Sequence, residues 1–247
     1  MDDYIVSIKD VSMNYHTIDG ETKAIDKISF DVNKGELLGI VGPSGCGKST
    51  VLSLIAGLLE PSSGEIYVGG KVSYMLQKDY LLAWRTILQN AVLGLEIQKK
   101  LTEENKNYVI DMLRKYGLGD FLNHYPSQLS GGMRQRVALI RTLAVKPDIL
   151  LLDEPFSALD YQTRLAIADE VWKIIKYEEK TALFVTHDIS EAISMSDRIL
   201  VLSKRPGRVI SIHEIKTSGE QGPLNRRKAP EFRDYFNEIW KELDVHV

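Results

Sequence analysis

A glycine-rich loop between a short apolar run and a helix constrains this chain more than any other feature. Gly42 to Thr50 reads Gly-Pro-Ser-Gly-Cys-Gly-Lys-Ser-Thr and fits the pattern G-x-x-x-x-G-K-S/T. The largely apolar run Glu36 to Val41 fits a buried strand before the loop, and Ser49 to Leu59 is predicted to be a helix. Such a loop aims backbone N–H groups at phosphate from a helix N-terminus. The sequence therefore predicts nucleotide binding on an α/β fold.

The residues of this loop have separate expected parts. Lys48 is expected to hold the β and γ oxygens of a nucleotide as a point charge, and the Ser49 hydroxyl to ligate Mg²⁺. Cys46, the only cysteine, is interpreted as a small filler. The predicted nucleotide-binding residues of the loop are Gly42, Pro43, Ser44, Gly45, Cys46, Gly47, Lys48, Ser49 and Thr50.

Two adjacent carboxylates follow a second buried strand. Ile149 to Leu152 is wholly apolar, so Asp153 and Glu154 are expected to emerge at the carboxyl edge of the sheet, where open α/β folds bind ligands. We expect Asp153 to face the magnesium shell and Glu154 to polarise a water. A general base in reach of that water contributes about 10²–10⁴ in rate. The alternative is that both acids are merely solvated at the end of a strand.

Composition points to a compact globular protein. Of its 247 residues, 44% are apolar and 26% are charged, and the net charge of −3 gives no general attraction to nucleic acid. No apolar run approaches the ~18 residues of a membrane span. If the protein serves a membrane process, we expect another chain to do the spanning.

The order of predicted elements suggests a helical lobe inserted into an α/β core. Ile5 to Tyr15 and Ala24 to Val32 read as antiparallel strands joined by a turn around Asp19-Gly20. A helical stretch follows, with Thr102 as a helix N-cap, Gly117 as a stop and a last helix from Gly131. Strands and helices then alternate. The predicted division is 1–83 with 146–215 for the core, 84–145 for the helical part and 216–247 for a tail.

The tail carries an amphipathic pattern. Apolar residues recur at helical spacing between Glu231 and Leu243, and we expect this helix to pack on the body of the protein. Regulation or dimer contact is the alternative. Ser218 to Ala229 is predicted to be a linker, and Arg226-Arg227-Lys228 is interpreted as solvated surface charge.

A second glycine-rich turn connects these motifs to a known family. Leu129 to Met133 reads Leu-Ser-Gly-Gly-Met and opens a helix after the phosphate loop and before the acidic pair. With both motifs in this order, the chain from about Tyr4 to Arg208 resembles the ATP-binding-cassette (ABC) ATPases. The resemblance implies a RecA-like P-loop NTPase core with an antiparallel β subdomain and an inserted α-helical subdomain. ATP and Mg²⁺ are the implied ligands.

The resemblance assigns further residues, each with a plainer alternative. Tyr15 matches the aromatic that stacks on adenine, although a core tyrosine would look the same. Gln77 matches the glutamine that touches Mg²⁺ and the attacking water, and His187 matches the histidine that faces the γ-phosphate, although histidines at strand ends are more often structural. Asp160 falls in a segment that crosses the dimer seam and would otherwise pass for a helix N-cap.

The turn at Leu129 implies a dimer. In this family the serine and glycine amides of one copy reach the γ-phosphate held by the other copy, which assigns Ser130, Gly131 and Gly132 to the opposite copy's ATP. Two ATP molecules would then be clamped between two head-to-tail chains. Without the other motifs, Ser130 could equally be a helix N-cap.

The implied partners are transmembrane permease subunits and an extracytoplasmic solute-binding protein, with the chain at the cytoplasmic face of the membrane. Gln77 to Thr86, Ser203 to Arg208 and Phe232 to Tyr235 resemble the nitrate, sulfonate and taurine importer branch. Ala83 stands where that branch usually has proline, which leaves the cargo open. Leu81, Leu82 and Trp84 are expected to receive a permease helix, although a buried lobe edge would explain them almost as well.

Three other classes compete with an importer. An export or lipoprotein-release cassette is the nearest. A soluble ABC ATPase acting on chromosomes or ribosomes is disfavoured, because the chain shows neither long heptads nor a second phosphate loop. A P-loop kinase or GTPase is disfavoured because no Asn-Lys-x-Asp occurs and the turn at Leu129 would then lack a function.

Overall fold

The protein is built on two β-sheets flanked by helices. The computed structural model describes residues 4–17, 20–157 and 159–244. The first sheet has three antiparallel strands in the order β2-β1-β4, which are β1 (Tyr4–Thr17), β2 (Gly20–Asn33) and β4 (Ser63–Val68). The expected antiparallel pair is thus present, although Asp19 in its turn lies outside the described residues.

The second sheet carries the motifs. Its order is β5-β6-β7-β3-β8-β9, and its strands are β3 (Leu37–Val41), β5 (Val72–Met75), β6 (Ile149–Asp153), β7 (Thr181–Thr186), β8 (Arg198–Leu202) and β9 (Val209–Glu214). All neighbours pair in parallel except β8 with β9. The carboxyl ends of β3, β5, β6 and β7 therefore lie along one edge, which is where ligands bind in open α/β sheets. Strand β9 was not predicted from the sequence.

Nine α-helices pack around these sheets in the described part of the chain. They are α1 (Lys48–Ile55), α2 (Ile87–Ala91), α3 (Leu93–Ile97), α4 (Glu103–Lys115), α5 (Gly131–Leu143), α6 (Tyr161–Tyr177), α7 (Ile189–Met195), α8 (Pro223–Arg226) and α9 (Glu231–Asp244). Thr102 caps α4 and Gly117 follows its end with positive φ, as predicted. Among the described residues, no helix has both the length and the apolar character to cross a bilayer.

The apolar strands are buried on both faces. In β6, Ile149 and Leu151 pack with β1, β2 and α1, whereas Leu150 and Leu152 pack with α5, α6 and α7. This is why the strand reads as a continuous apolar run rather than as an alternating one. The mixed α/β architecture, with its parallel sheet and antiparallel subdomain, matches the fold predicted from the sequence. The residue boundaries predicted for its parts stay a prediction.

Two sequence interpretations were wrong. Helix α1 ends at Ile55 rather than Leu59, because Gly57 takes a positive φ of 69° and reverses the chain. The segment Ser218 to Ala229 is not a linker, since it contains α8. Arg226 in α8 is only 4% exposed and donates hydrogen bonds to Ser196 O and Gln221, so it is a buried anchor rather than solvated charge.

The C-terminal helix packs on the body as expected. Ile239 is fully buried, and Phe232, Tyr235, Phe236 and Leu243 pack against the core beside α7. Trp240 on the same helix stays exposed.

Candidate nucleotide site

The phosphate loop takes a shape that only glycine permits at two positions. Gly45 and Gly47 have φ values of 75° and 107°, and a Cβ on Gly47 would lie 2.6 Å from Ile25 Cδ1. Lys48 Nζ donates to Gly42 O at 2.8 Å and to Pro43 O at 3.0 Å. An ammonium has three donors, so Lys48 retains capacity for a phosphate oxygen. Cys46 is buried under the loop, and this burial raises the pKa of its thiol.

A hydroxyl and a carboxylate lie together at the start of α1. Ser49 Oγ donates to Asp153 Oδ1 at 3.0 Å, and the Tyr74 hydroxyl donates to Asp153 Oδ2 at 3.0 Å. Burial, together with the Asp153 charge, raises the pKa of Tyr74. Tyr74 thus stays a donor that fixes the carboxylate. Tyr74 was not predicted as a site residue from the sequence.

Glu154 is held between two side chains from neighbouring strands. Gln77 Nε2 donates to Glu154 Oε2 at 2.9 Å, and His187 Nδ1 lies 3.3 Å from Glu154 Oε1. Glu154 has a positive φ of 43°, which turns the chain away from the strand direction immediately after β6. Its N–H donates to Val185 O at 3.0 Å and holds that turn in place. The structure therefore brings together three residues that lie far apart in the sequence, at the ends of three neighbouring strands.

A cleft of about 360 Å³ runs along the phosphate loop. Tyr15 forms part of its wall, and the Tyr15 hydroxyl lies 3.1 Å from Thr50 Oγ1. Ser44, Lys48 and Glu154 also line it. Thr22 and Arg205 line this cleft too and were not predicted as site residues. Arg205 lies on the loop between β8 and β9. Gly207 in the same loop donates to Ala24 O and accepts from the Asp26 N–H, which fixes the loop against β2.

The second glycine-rich turn lies elsewhere in the same chain. Ser130 is the N-cap of α5 and accepts a hydrogen bond from the Met133 N–H at 3.3 Å. Ser130, Gly131 and Gly132 are absent from the described residues that line the cleft. Because the Ser130 oxygen acts as acceptor in the cap, its O–H remains able to donate.

Asp160 is likewise a helix N-cap. Its carboxylate accepts a hydrogen bond from the Thr163 N–H at 3.1 Å at the start of α6, and hydrogen bonds from Thr163 lower the pKa of this carboxyl. In a single copy, Asp160 thus acts as a helix N-cap, which was the alternative to a role in the dimer seam. Ala158 in the same segment lies outside the described residues.

Helix α5 is connected to the segment after Gln77. Arg134 Nε donates to Asp79 Oδ2 at 3.0 Å, and Arg141 donates to the backbone carbonyls of Asp79 and Tyr80. Sequence reasoning missed this connection, because nothing local to either segment indicates it. These hydrogen bonds join the segment after Gln77 to α5, the helix that Ser130 caps.

Comparison with known proteins agrees with this geometry. The model of the family described as ABC transporter matches residues 25–157. The chain belongs to the ABC transporter family. It is 48% identical over 243 residues to the ABC transporter ATP-binding protein YtlC of Bacillus subtilis (strain 168), covering 95% of this chain and 94% of that protein.

Further relatives place the chain among transport ATPases. It is 39% identical to the taurine import ATP-binding protein TauB of Rhizobium johnstonii, over 87% of each chain. A dimeric structure of the ATP-binding cassette MJ0796 with ADP and Pi superposes with a TM-score of 0.73 at 31% identity, covering 85% of this chain and 99% of that one. The chain is an ATP-binding, transport-coupled ATPase subunit, and its fold is that of the ABC ATPases.

Proposed function

We propose that two copies of this chain bind two ATP molecules along a shared seam and, through a permease, drive import of a small anionic or organosulfur solute such as taurine, a sulfonate or nitrate. The observation that carries the proposal is the placement of Glu154. Its carboxylate lies between Gln77 and His187, next to the Ser49–Asp153 pair and within the cleft of the phosphate loop.

Hydrolysis follows from this arrangement. Glu154 orients a water for in-line attack on the γ-phosphate and accepts its proton, while Gln77 and His187 hold the carboxylate in place. Lys48 and the loop N–H groups stabilise the charge on the transferred phosphoryl group. Tyr15 lies on the cleft wall where an adenine can stack on it, which is worth about 1–3 kcal/mol.

The residues at Ser49 suit a magnesium ion. A hydroxyl oxygen and a carboxylate oxygen 3.0 Å apart are the oxygen ligands that Mg²⁺ takes in nucleotide sites. Ser49 and Asp153 would hold the cation, and Gln77 is the further ligand that the family resemblance implies. When bound, the cation neutralises phosphate charge.

The seam requires a second copy. In one chain, the described residues that line the cleft come from the phosphate loop, β1, β2, the end of β6 and the loop after β8, and the turn at Ser130 is not among them. Ser130 with the N–H groups of Gly131 and Gly132 supplies donors of the right kind at the start of α5. Each ATP is then held by the loop of one copy and the turn of the other. Loss of the γ-phosphate charge weakens the closed state and opens the dimer.

The surface beside Gln77 suits a permease. Of the three residues expected to receive a permease helix, Leu81 and Leu82 are partly buried, and Leu81 packs against the core. Trp84 is 74% exposed, and Leu76 and Tyr80 are also exposed. Exposed apolar residues grouped in this way mark an interaction surface. The Arg134–Asp79 contact connects this surface to the start of α5. Binding of the permease here would therefore affect the position of the turn at Ser130 in the ATP seam.

The relatives support the proposed class of cargo. A taurine importer is among the proteins that resemble this chain over most of its length. Import of this kind uses a permease and a solute-binding protein outside the cell, which puts the cassette at the cytoplasmic face of the membrane. Binding of taurine, sulfonates and nitrate to the solute-binding protein encoded beside this chain identifies the cargo.

Glu154→Gln tests the chemistry. Removing the carboxylate charge while keeping its shape should retain ATP binding, lower turnover in the purified transporter by about 10²–10⁴, and accumulate ATP-bound dimers. Phosphate release and nucleotide titration measure the two effects. Glu104→Gln, an exposed glutamate on α4, is the matched control. Turnover that is unchanged in Glu154→Gln would remove Glu154 from the mechanism.

A further inference from the structure

A second cleft lies between the C-terminal helix and the phosphate loop. It encloses about 360 Å³. Trp240, Leu243 and Asp244 of α9 form one wall, Pro43 and Ser44 form the other, and His187 lies between them. Nothing in the proposed hydrolysis reaction uses the α9 side of this cleft.

Trp240 is unusual on its helix. Its neighbour Ile239 is fully buried, yet Trp240 is 54% exposed and its ring stacks on Phe236 with centroids 6.0 Å apart. The stack holds the indole in one orientation. An ordered, exposed tryptophan beside an apolar cleft is the kind of residue that anchors protein interfaces.

Helix α9 is fixed to the part of the protein that carries the phosphate loop. Glu242 Oε2 accepts from Ser211 Oγ at 2.6 Å and lies 3.0 Å from His213 Nε2, which joins α9 to β9. Ile239 and Leu243 pack into the core beside α7. These contacts fix the helix that carries Trp240 against the same sheet and core that carry Ser44 and His187.

The two clefts meet. Ser44 lines both of them, and His187 in the second cleft lies 3.3 Å from Glu154 in the first. The surface of α9 thus continues the nucleotide cleft past Glu154, on the side where a second copy has to approach. In the proposed seam, a second copy that closes over the phosphates beside Ser44 also faces this second cleft.

We propose that Trp240 and the α9 side of this cleft form part of the ATP-dependent seam, with a second copy of this chain as the occupant. The inference rests on the proposed function, because that function supplies the second copy. A second copy carries an exposed aromatic residue, Tyr161, next to the segment that is expected to cross the seam. Tyr161 is 65% exposed at the first turn of α6, directly after Asp160, and an aromatic ring is suited to pack against Trp240. Closure on ATP buries the indole.

The test compares dimers of the full chain in the Glu154→Gln background with Mg²⁺ and ATP. Sedimentation velocity should show that Trp240→Ala weakens the dimer about tenfold, the loss typical of a truncated aromatic anchor. Lys241→Ala, the next residue on α9 and exposed but not part of the cleft, should leave the dimer unchanged. Thermal unfolding of each variant checks that α9 remains packed.

Tryptophan emission gives a second, independent measurement. The emission lost in Trp240→Phe isolates the signal of Trp240, and ATP should shift this signal to shorter wavelength and protect it from acrylamide in proportion to the dimer formed. If Trp240→Ala dimerises as tightly as its parent and the Trp240 signal stays equally accessible, the inference is wrong while the ATP seam stands. Failure of the Glu154→Gln parent to dimerise would instead overturn the seam itself. Protection that appears only when a permease is added would assign the surface to the permease and overturn the inference.

Discussion

At the scale of single residues, the site depends on backbone conformations that the sequence pattern does not state. Glu154 lies at a positive φ, which costs a residue with a side chain about 1 kcal/mol or more. The structure holds it there through the bond from its N–H to Val185 O. A relaxed, extended Glu154 would continue the direction of β6 and lose its contacts with Gln77 and His187. The strained backbone thus helps to assemble the group proposed to be catalytic.

Gly47→Ala tests the shape of the phosphate loop. The new methyl group would lie 2.6 Å from Ile25 Cδ1 and 3.1 Å from Ala24 O at a φ that disfavours side chains. We expect the free energy of unfolding to fall by about 1–3 kcal/mol and ATP affinity to fall as well. Chemical denaturation and nucleotide titration measure these effects. Gly35→Ala is the matched control, since Gly35 also has a positive φ but open space around it. ATP binding by Gly47→Ala as tight as in this control would contradict the account.

The motifs of the candidate site could be recognised from the sequence where their residues are close together in the chain. The loop at Gly42, the pair at Asp153 and the turn at Leu129 each carry their pattern within a few positions. Thr22 and Arg205 reach the cleft only because distant segments fold together. Tyr74 reaches Asp153 because β5 and β6 are neighbours in the sheet. No spacing along the chain encodes such contacts.

At the scale of elements, the two wrong interpretations share a cause. In α1, the helical pattern continued to Leu59, but the single positive φ of Gly57 ended it earlier. In Ser218 to Ala229, polar composition indicated a linker, yet Arg226 found buried partners in Ser196 and Gln221. In both segments tertiary or backbone geometry overrode a compositional pattern.

Helix α7 carries a buried acid, Glu191, close to the turn that holds His187. Thr186 Oγ1 donates to Glu191 Oε2 at 3.1 Å, while the other oxygen of Glu191 is buried without a hydrogen-bond partner in the described part of the chain. Burial, followed by the nearby Asp188 charge, raises the pKa of Glu191 to about 7. Thr186 also accepts from the Asp188 N–H, so this group supports the turn that holds His187.

The raised pKa of Glu191 predicts a pH dependence of stability. The folded protein keeps this proton up to about pH 7, whereas the unfolded chain releases it near its ordinary value of 4.5, so folding stability falls as pH rises between these values. Glu191→Gln should remove this loss and be more stable than the parent above pH 7 by a few kcal/mol. Denaturant melts at pH 5 and pH 8 measure it, with the exposed Glu60→Gln as control. Parallel pH profiles for parent and Glu191→Gln would refute the assignment.

At the scale of the whole molecule, hydrogen bonds connect the edge of the parallel sheet that carries the candidate site to helix α5. The sheet places the phosphate loop, Glu154, Gln77 and His187 along one edge. Arg134 and Arg141 join the segment after Gln77 to the helix that begins at Ser130. These contacts connect the segment that leads to the exposed Trp84 with the helix capped by Ser130, the group proposed to reach the opposite copy's ATP.

Trp84→Ala tests the permease surface. Loss of this exposed ring should weaken the copurification of the cassette with its permease about tenfold, because truncated aromatic anchors typically have such effects. Pull-down from detergent-solubilised membranes measures it. Tyr67→Ala removes another exposed aromatic ring, on β4 of the antiparallel sheet, and should have no such effect. Equal recovery of permease with both variants would place the docking surface elsewhere.

The most direct test of the central claim is the structure of the Glu154→Gln protein with Mg²⁺ and ATP. Our account predicts a head-to-tail dimer in which each γ-phosphate contacts Lys48 of one copy and Ser130 and Gly131 of the other. A structure in which one copy supplies all contacts to each ATP, with Lys48 and Gly131 far apart across every interface between copies, would contradict it.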